Sequence, residues 1–159
     1  LHDLGIVALL ATMPTDFTRA LRLARTEGIP LHEAEQTALG IDHAQAGAIV
    51  AQHWKLPPAL SEVISFHHQP EQAPTNPLLV AIVAFSDQLC RLSGMGYGYT
   101  EMRQTVFSEE PAYFSLATHY KALRHFDLAL FTFEVDDMLE EVRPVVSNIY
   151  GGAAMMARS

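Results

Sequence analysis

The residues best suited to chemistry in this chain are histidines and carboxylates: the pair His2-Asp3, then His43, the adjacent His67 and His68, and Asp87. Imidazole and carboxylate are the usual ligands of Zn, Fe and Mn, and such a divalent metal acidifies bound water and polarises phosphoryl oxygens. Asp87 is the most telling. It interrupts the apolar stretch Leu78 to Leu92, with Val80, Val83 and Ala84 before it and Cys90 after it. A helix this apolar is expected to be buried, and a buried carboxylate needs a cationic partner. Few lysines or arginines stand out nearby, so a metal gripped by histidines from other segments is the expected counter-charge. His67 shares a helical face with Leu60, Val63 and Ile64 and should point inward, with His68 about 100° further round. One inward histidine is readily a core residue bonded to a carbonyl. The joint pattern points instead to a metal: a His-Asp pair, a histidine just after a cap, a double histidine and an aspartate in an apolar helix.

The segments that must position these side chains read as helices. Leu4 to Met13 is apolar and ends at Pro14, and Thr15 or Asp16 can cap a second helix that buries Phe17, Ala20, Leu21 and Ala24 and stops at Gly28. A third runs from Pro30 to Gly40. Asp42 caps His43 to Trp54, whose Ala44, Gly47, Ala48 and Ala51 allow close helix packing. Pro58 opens the helix that ends near His67, and Asn76-Pro77 opens the Asp87 helix, which ends at Gly94. Thr100 and Ser108 look like further caps, with Glu101 and Glu109 suited to the positive helix end. Asp127 to Tyr150 is a long segment expected to kink or break at Pro144. With no strand alternation and no linker, the chain reads as one all-α bundle, 1–93 bearing the motifs and 94–159 supplying C-terminal helices.

Composition narrows the function classes. The 159 residues are 49% hydrophobic and 18% charged, enough for a core. A net charge of -8 argues against nucleic acid or an anionic membrane surface as a partner. Arg19, Arg22 and Arg25 alone recur at helical spacing. The lone cysteine, Cys90, cannot form an internal disulfide, so the expected location is the cytoplasm. The apolar run Leu78 to Phe85 is too short to span a bilayer. A His-Asp pair at the very start, without an initiator Met, reads as a fragment.

Other features have plainer expectations. His53 and Trp54 read as a helix terminus with an aromatic packing anchor, and His32, His119 and His125 as solvated. Tyr113, Phe114, Tyr120, Phe126, Phe131 and Phe133 suggest helix packing, but Phe131 and Phe133 cannot face one way on a helix, which raises a dimer or partner surface. Glu134, Asp136, Asp137, Glu140 and Glu141 read as a solvated face without calcium-loop spacing.

Five elements in order resemble the HDOD branch of the HD-domain superfamily: Leu1-His2-Asp3-Leu4-Gly5, Leu39-Gly40-Ile41-Asp42-His43 through Gly47, Trp54-Lys55-Leu56-Pro57, His67-His68-Gln69-Pro70 and Ser86-Asp87. The resemblance covers about residues 1–93. It implies a helical HD-type fold lacking its N-terminal helices here, the superfamily's first histidine ligand lying on an earlier helix. It also implies a site for one or two divalent metals, with His2, Asp3 and Asp87 as primary ligands and His43, His67 and His68 matching the second-metal ligands of the related HD-GYP phosphodiesterases. Active relatives place a lysine where this chain has Ile6, which cannot neutralise a phosphoryl group. The HD-GYP turn expected after the double histidine is replaced by Gln69, Pro70 and Glu71, and Gly96-Tyr97-Gly98-Tyr99 looks like an interhelical loop. Two functions compete: a bacterial signal-transduction module with a degenerate or metal-only site, and a metal-dependent phosphohydrolase acting on a nucleotide or cyclic dinucleotide. The first implies other signalling domains or proteins as partners and allows a homodimer.

Overall fold

The computed structural model describes residues 1–97, 99, 101 and 106–150. Among these, eight α-helices and three short 3-10 turns form the molecule, with no strand. The helices are α1 (Leu4–Thr12), α2 (Pro14–Glu27), α3 (Leu31–Leu39), α4 (His43–His53), α5 (Pro58–Phe66), α6 (Pro77–Leu92), α7 (Pro111–His119) and α8 (Leu128–Tyr150). The principal pairings are α1 on α4, α2 on α3, α4 on α5 and α6 on α7.

Local chemistry explains most boundaries. Asp42 accepts from the Gln45 backbone N–H while the Gln45 side chain accepts from the Asp42 backbone, a reciprocal capping box that starts α4 at His43. Gly28 and Gly40 end α2 and α3 in the left-handed conformation, at φ 64° and 75°. Pro14 occupies the first turn of α2, so Met13 takes the cap position in place of Thr15 or Asp16. Asn76 precedes α6, but its side chain donates to Glu62 rather than capping. Glu62 also accepts from the backbone N–H groups of Thr75 and Asn76 at 2.7 and 2.6 Å, which pins the start of α6 to α5. Ser108 lies in a 3-10 turn, and α7 begins at Pro111. The expected cap at Thr100 lies outside the described residues. α8 continues through Pro144 to Tyr150 without a break.

The core has two centres. Leu9, Phe17, Ala24, Leu31, Ala34 and Ala46 bind α1 to α4 together, while Val63, Ala73 and Val80 join α5 to α6. Each fully buried leucine or isoleucine contributes about 2 kcal/mol by leaving water. Trp54 is 60% exposed and is not a packing anchor. Phe131 is half-buried, with its ring 5.1 Å from that of Phe126, whereas Phe133 faces outward.

Two glycines set the crossing that matters most. A Cβ on Gly5 would lie 1.8 Å from the His43 carbonyl oxygen, and one on Gly47 would lie 2.6 Å from Ile64 Cγ2 and 3.2 Å from the Gly5 nitrogen. Backbone therefore rests on backbone where α1 meets α4, and α5 packs directly beneath. Gly5→Ala should cost about 3 kcal/mol or more, since the obstacle is a backbone atom that cannot turn aside. Gly40→Ala, with nothing within 4 Å of its Cβ, should cost only the left-handed strain of about 1–2 kcal/mol. Urea denaturation of both variants checks the ordering.

Candidate functional site

Each candidate ligand sits at or near a helix end except Asp87. His2 and Asp3 lead into α1, His43 is the first residue of α4, His67 caps α5, and His68 follows it. Asp87 lies mid-way along α6. The α1–α4 crossing sets Asp3 beside His43, and the α4–α5 contact sets His43 beside the double histidine. All six converge, as two groups. One nitrogen or oxygen from each of His43, His67 and His68 lies within 4.8 Å of the others, as do those of His2, Asp3 and Asp87.

Asp3 joins the groups. Its Oδ1 lies 3.4 Å from His43 Nε2 and 3.5 Å from His67 Nε2, while Oδ2 lies 3.3 Å from His2 Nε2. Asp3 occupies the N-cap of α1, yet makes no capping hydrogen bond; its carboxylate is turned into the site. His2 Nε2 is also 3.4 Å from Asp87 Oδ1. Asp87 is less enclosed than its sequence context implied, with 11% side-chain exposure. Its other oxygen pairs with Arg91 at 3.0 Å, one helical turn on, so a cation is nearby after all. Arg91 in turn donates to Glu101 at 2.9 Å.

The rings are held in defined orientations. His43 Nδ1 donates to Glu35 Oε2 at 2.6 Å, and the His43 backbone N–H donates to the same oxygen at 2.8 Å; both side chains have no solvent exposure. His67 Nδ1 donates to the carbonyls of Ile64 and Val63 at 3.0 and 3.2 Å. A carbonyl has no proton to give, so the neutral rings of His43 and His67 carry their free lone pairs on Nε2. Those two Nε2 atoms face each other at 3.3 Å, with His68 Nε2 2.7 Å from that of His43. Acceptors brought this close repel unless a proton or a metal ion lies among them. Two further buried atoms of the site, His2 Nε2 and Asp3 Oδ1, have only the longer ionic contacts given above and no well-formed hydrogen bond among the described residues. This donor set, imidazole Nε2 atoms around carboxylate oxygens, fits a divalent transition metal, and Glu35 stands behind His43 as an orienting carboxylate does behind a metal-bound histidine.

Glu35 and His32 were not legible as site residues. Glu35 falls on the Leu31, Ala34 face of α3, and an acid within that apolar spacing was the available signal. His32, expected in solvent, stacks on His68 with centroids 4.0 Å apart and planes at 22°. Tyr97, from the Gly-Tyr loop, donates to Asp3 Oδ2 at 3.1 Å. His53, His119 and His125 are exposed and distant in role, as expected. A cavity of about 530 Å³ opens beside the double histidine, bounded also by His32, Arg91, Tyr97 and Tyr99. Asp136 and Glu140 of the acidic run line it as well, so that run is more than a solvated face.

Residues 1–70 match the family model of the HDOD domain. The likeness to the HDOD domain thus lies in the part that carries five of the six candidate ligands. The crystal structure of an HDOD domain protein with unknown function from Geobacter sulfurreducens matches with a TM-score of 0.76 at 27% identity, over 92% of this chain and 50% of that one. An uncharacterized protein of Treponema pallidum (strain Nichols) is 28% identical over 109 residues, which are 68% of this chain and 21% of that protein. The chain therefore spans about half the length of the first and about a fifth of the second. No helix among the described residues is long and apolar enough to cross a membrane.

Electrostatics in the site sort the groups by protonation. Close contact with the carboxylates of Asp3 and then Asp87 raises His2 from 6.5 to about 9, despite burial. Burial pushes the Asp3 carboxyl up, but hydrogen bonds from His2 and His67 and the nearby imidazoles outweigh it, leaving Asp3 well below the usual range. Burial and the surrounding histidines push His68 far down, and burial followed by His43 lowers His32 to about 4. Burial, reinforced by Asp3 and Asp87, keeps the Tyr97 phenol protonated far beyond its usual range. For the chelator-treated protein, a folded-state pKa of about 9 for His2 means stabilisation that is full below pH 6.5 and lost as pH rises through about 9. The depressed Asp3 contributes stability above its unfolded value of 3.8 that disappears on strong acidification. Thermal unfolding in chelator should therefore show a declining midpoint across the alkaline window, and His2→Gln should flatten that decline.

Proposed function

We propose that this HDOD domain is a metal-binding regulatory module of a longer bacterial signalling protein, operating without phosphoester turnover. The observation that carries the reading is the convergence of His43, His67 and His68 on one side of Asp3, and of His2 and Asp87 on the other, with His2 Nε2 and Asp3 Oδ1 buried among charged neighbours but without a well-formed hydrogen bond among the described residues. His2, Asp3 and Asp87 would hold one ion of Fe, Mn or Zn, and His43, His67 and His68 a second. When bound, such an ion supplies concentrated positive charge and acidifies its water. Glu35 and the Ile64 carbonyl keep the two imidazoles turned so that Nε2 faces inward.

The charge around the cavity opposes turnover. Arg91 is the one lysine or arginine among the described residues lining the cavity, and it is committed to Asp87 and Glu101. Glu101, Glu110, Asp136 and Glu140 border the same space. A phosphodiester would meet carboxylates where a phosphohydrolase needs cationic donors. Ile6, which replaces the lysine of active relatives, packs against the α1–α4 core and leaves that gap unfilled. The cavity itself favours the second reading, a metal-dependent phosphohydrolase acting on a nucleotide or cyclic dinucleotide.

Elemental analysis of the purified protein should find Fe, Mn or Zn in stoichiometric amount, and Asp87→Ala should lose at least part of it. Wild type without metal sinks the reading. Glu35→Gln, which weakens the bond that orients His43, should lower metal affinity by about 10–100-fold in chelator competition. Assayed with each metal on a generic phosphodiester, the protein should show no turnover; turnover abolished by His67→Ala would establish the hydrolase instead.

A further inference from the structure

His32 has no place in the six-residue ligand set, yet its position is closely specified. Its ring lies nearly flat against His68, whose Nε2 is 2.7 Å from that of His43, so His32 is one ring removed from the candidate metal ligands. It borders the cavity alongside His67, His68 and Arg91. Its Nδ1 is buried with no hydrogen-bond partner among the described residues. A proton there would be a buried donor without an acceptor, which costs more than an idle lone pair. The neutral ring therefore carries its proton on Nε2, and because Nδ1 is sealed off, Nε2 is the nitrogen left to serve the cavity that this partly buried ring lines.

We infer that His32 is a ligand-reading residue: its Nε2–H donates to an oxygen of a small oxyanion that rests on the histidine cluster and extends into the cavity. The inference builds on the metal-binding reading above. The donor is neutral, so it recognises an oxygen acceptor by direction rather than by charge, and the stack on His68 holds that direction before the ligand arrives. Glu101, Asp136 and Glu140 at the cavity wall oppose an extended polyanion, which leaves a compact oxyanion as the class that fits. It supplies a hydrogen-bond donor near the cluster in a chain whose Ile6 cannot provide one.

The test uses the full chain with its metal content measured first, and inorganic phosphate as the probe in isothermal titration. Wild type should bind phosphate, and His32→Phe, which keeps a flat ring on His68 but has no N–H, should bind about tenfold more weakly with metal content unchanged. His32→Gln, which restores a donor without the ring, should recover most of that loss. Thermal unfolding confirms that both variants are folded. Equal phosphate affinity in wild type and His32→Phe overturns the inference, as does loss of metal from His32→Phe, which would make His32 a ligand or a packing residue. An absence of phosphate binding by metal-loaded wild type overturns it too and leaves the metal reading standing. Wild type devoid of metal removes the reading on which the inference rests.

Discussion

The site depends on how closely two backbones approach. Where α1 crosses α4, Gly5 sits against the His43 carbonyl, at a separation that would leave only 1.8 Å for a Cβ. Gly47, one turn into α4, meets both Gly5 and Ile64 of α5. Any side chain at these points would wedge the helices apart by the width of a methyl group or more. The ligand atoms are separated by about the same distance, so a displacement of that size would pull Asp3 away from His43 and His67. Leu9, Leu31 and Ala46 supply the apolar burial that holds the crossing shut.

Charge within the array is shared rather than paired off. Each aspartate gives one oxygen to the histidines and the other to an outer partner: Asp3 to Tyr97 as well as His2, and Asp87 to Arg91. Arg91 passes the connection to Glu101, and Tyr99 donates to the Ile29 carbonyl. The segment after α6 is thereby tied to the start of α1, to the α2–α3 connection and to α6 through polar contacts around the site. Pairing of Asp87 with Arg91 and of both aspartates with His2 lowers the cost of assembling so many acids and imidazoles in one place.

A phosphohydrolase and a metal-binding module can share this scaffold, because ligand geometry and substrate charge compensation come from different residues. The ligands come from helix ends fixed by packing. The compensation would have to come from cations in the adjoining cavity, and there the acids of α8 and of the post-α6 segment outnumber Arg91 among the charged residues of the described lining.

Helical architecture was readable from the sequence because it rests on local signals: prolines at first turns, glycines at left-handed ends, and the Asp42 cap. The six candidate ligands were readable too, as polar residues at positions where apolar ones were expected or next to predicted caps. Their partners were not. Arg91, one turn from Asp87, was within reach of a spacing argument, and Glu35 was marked by an acid on an apolar face. His32 and Tyr97 carried no such local mark. What brings His32 onto His68 is the packing of helices about 36 residues apart in sequence, and what brings Tyr97 to Asp3 is closure of a 94-residue separation. Local chemistry along the chain determined which segments coil and which residues can bind. Only the tertiary structure decided which of them meet, because contact between distant residues depends on helix crossings set by side-chain volume, and no stretch of sequence records that by itself.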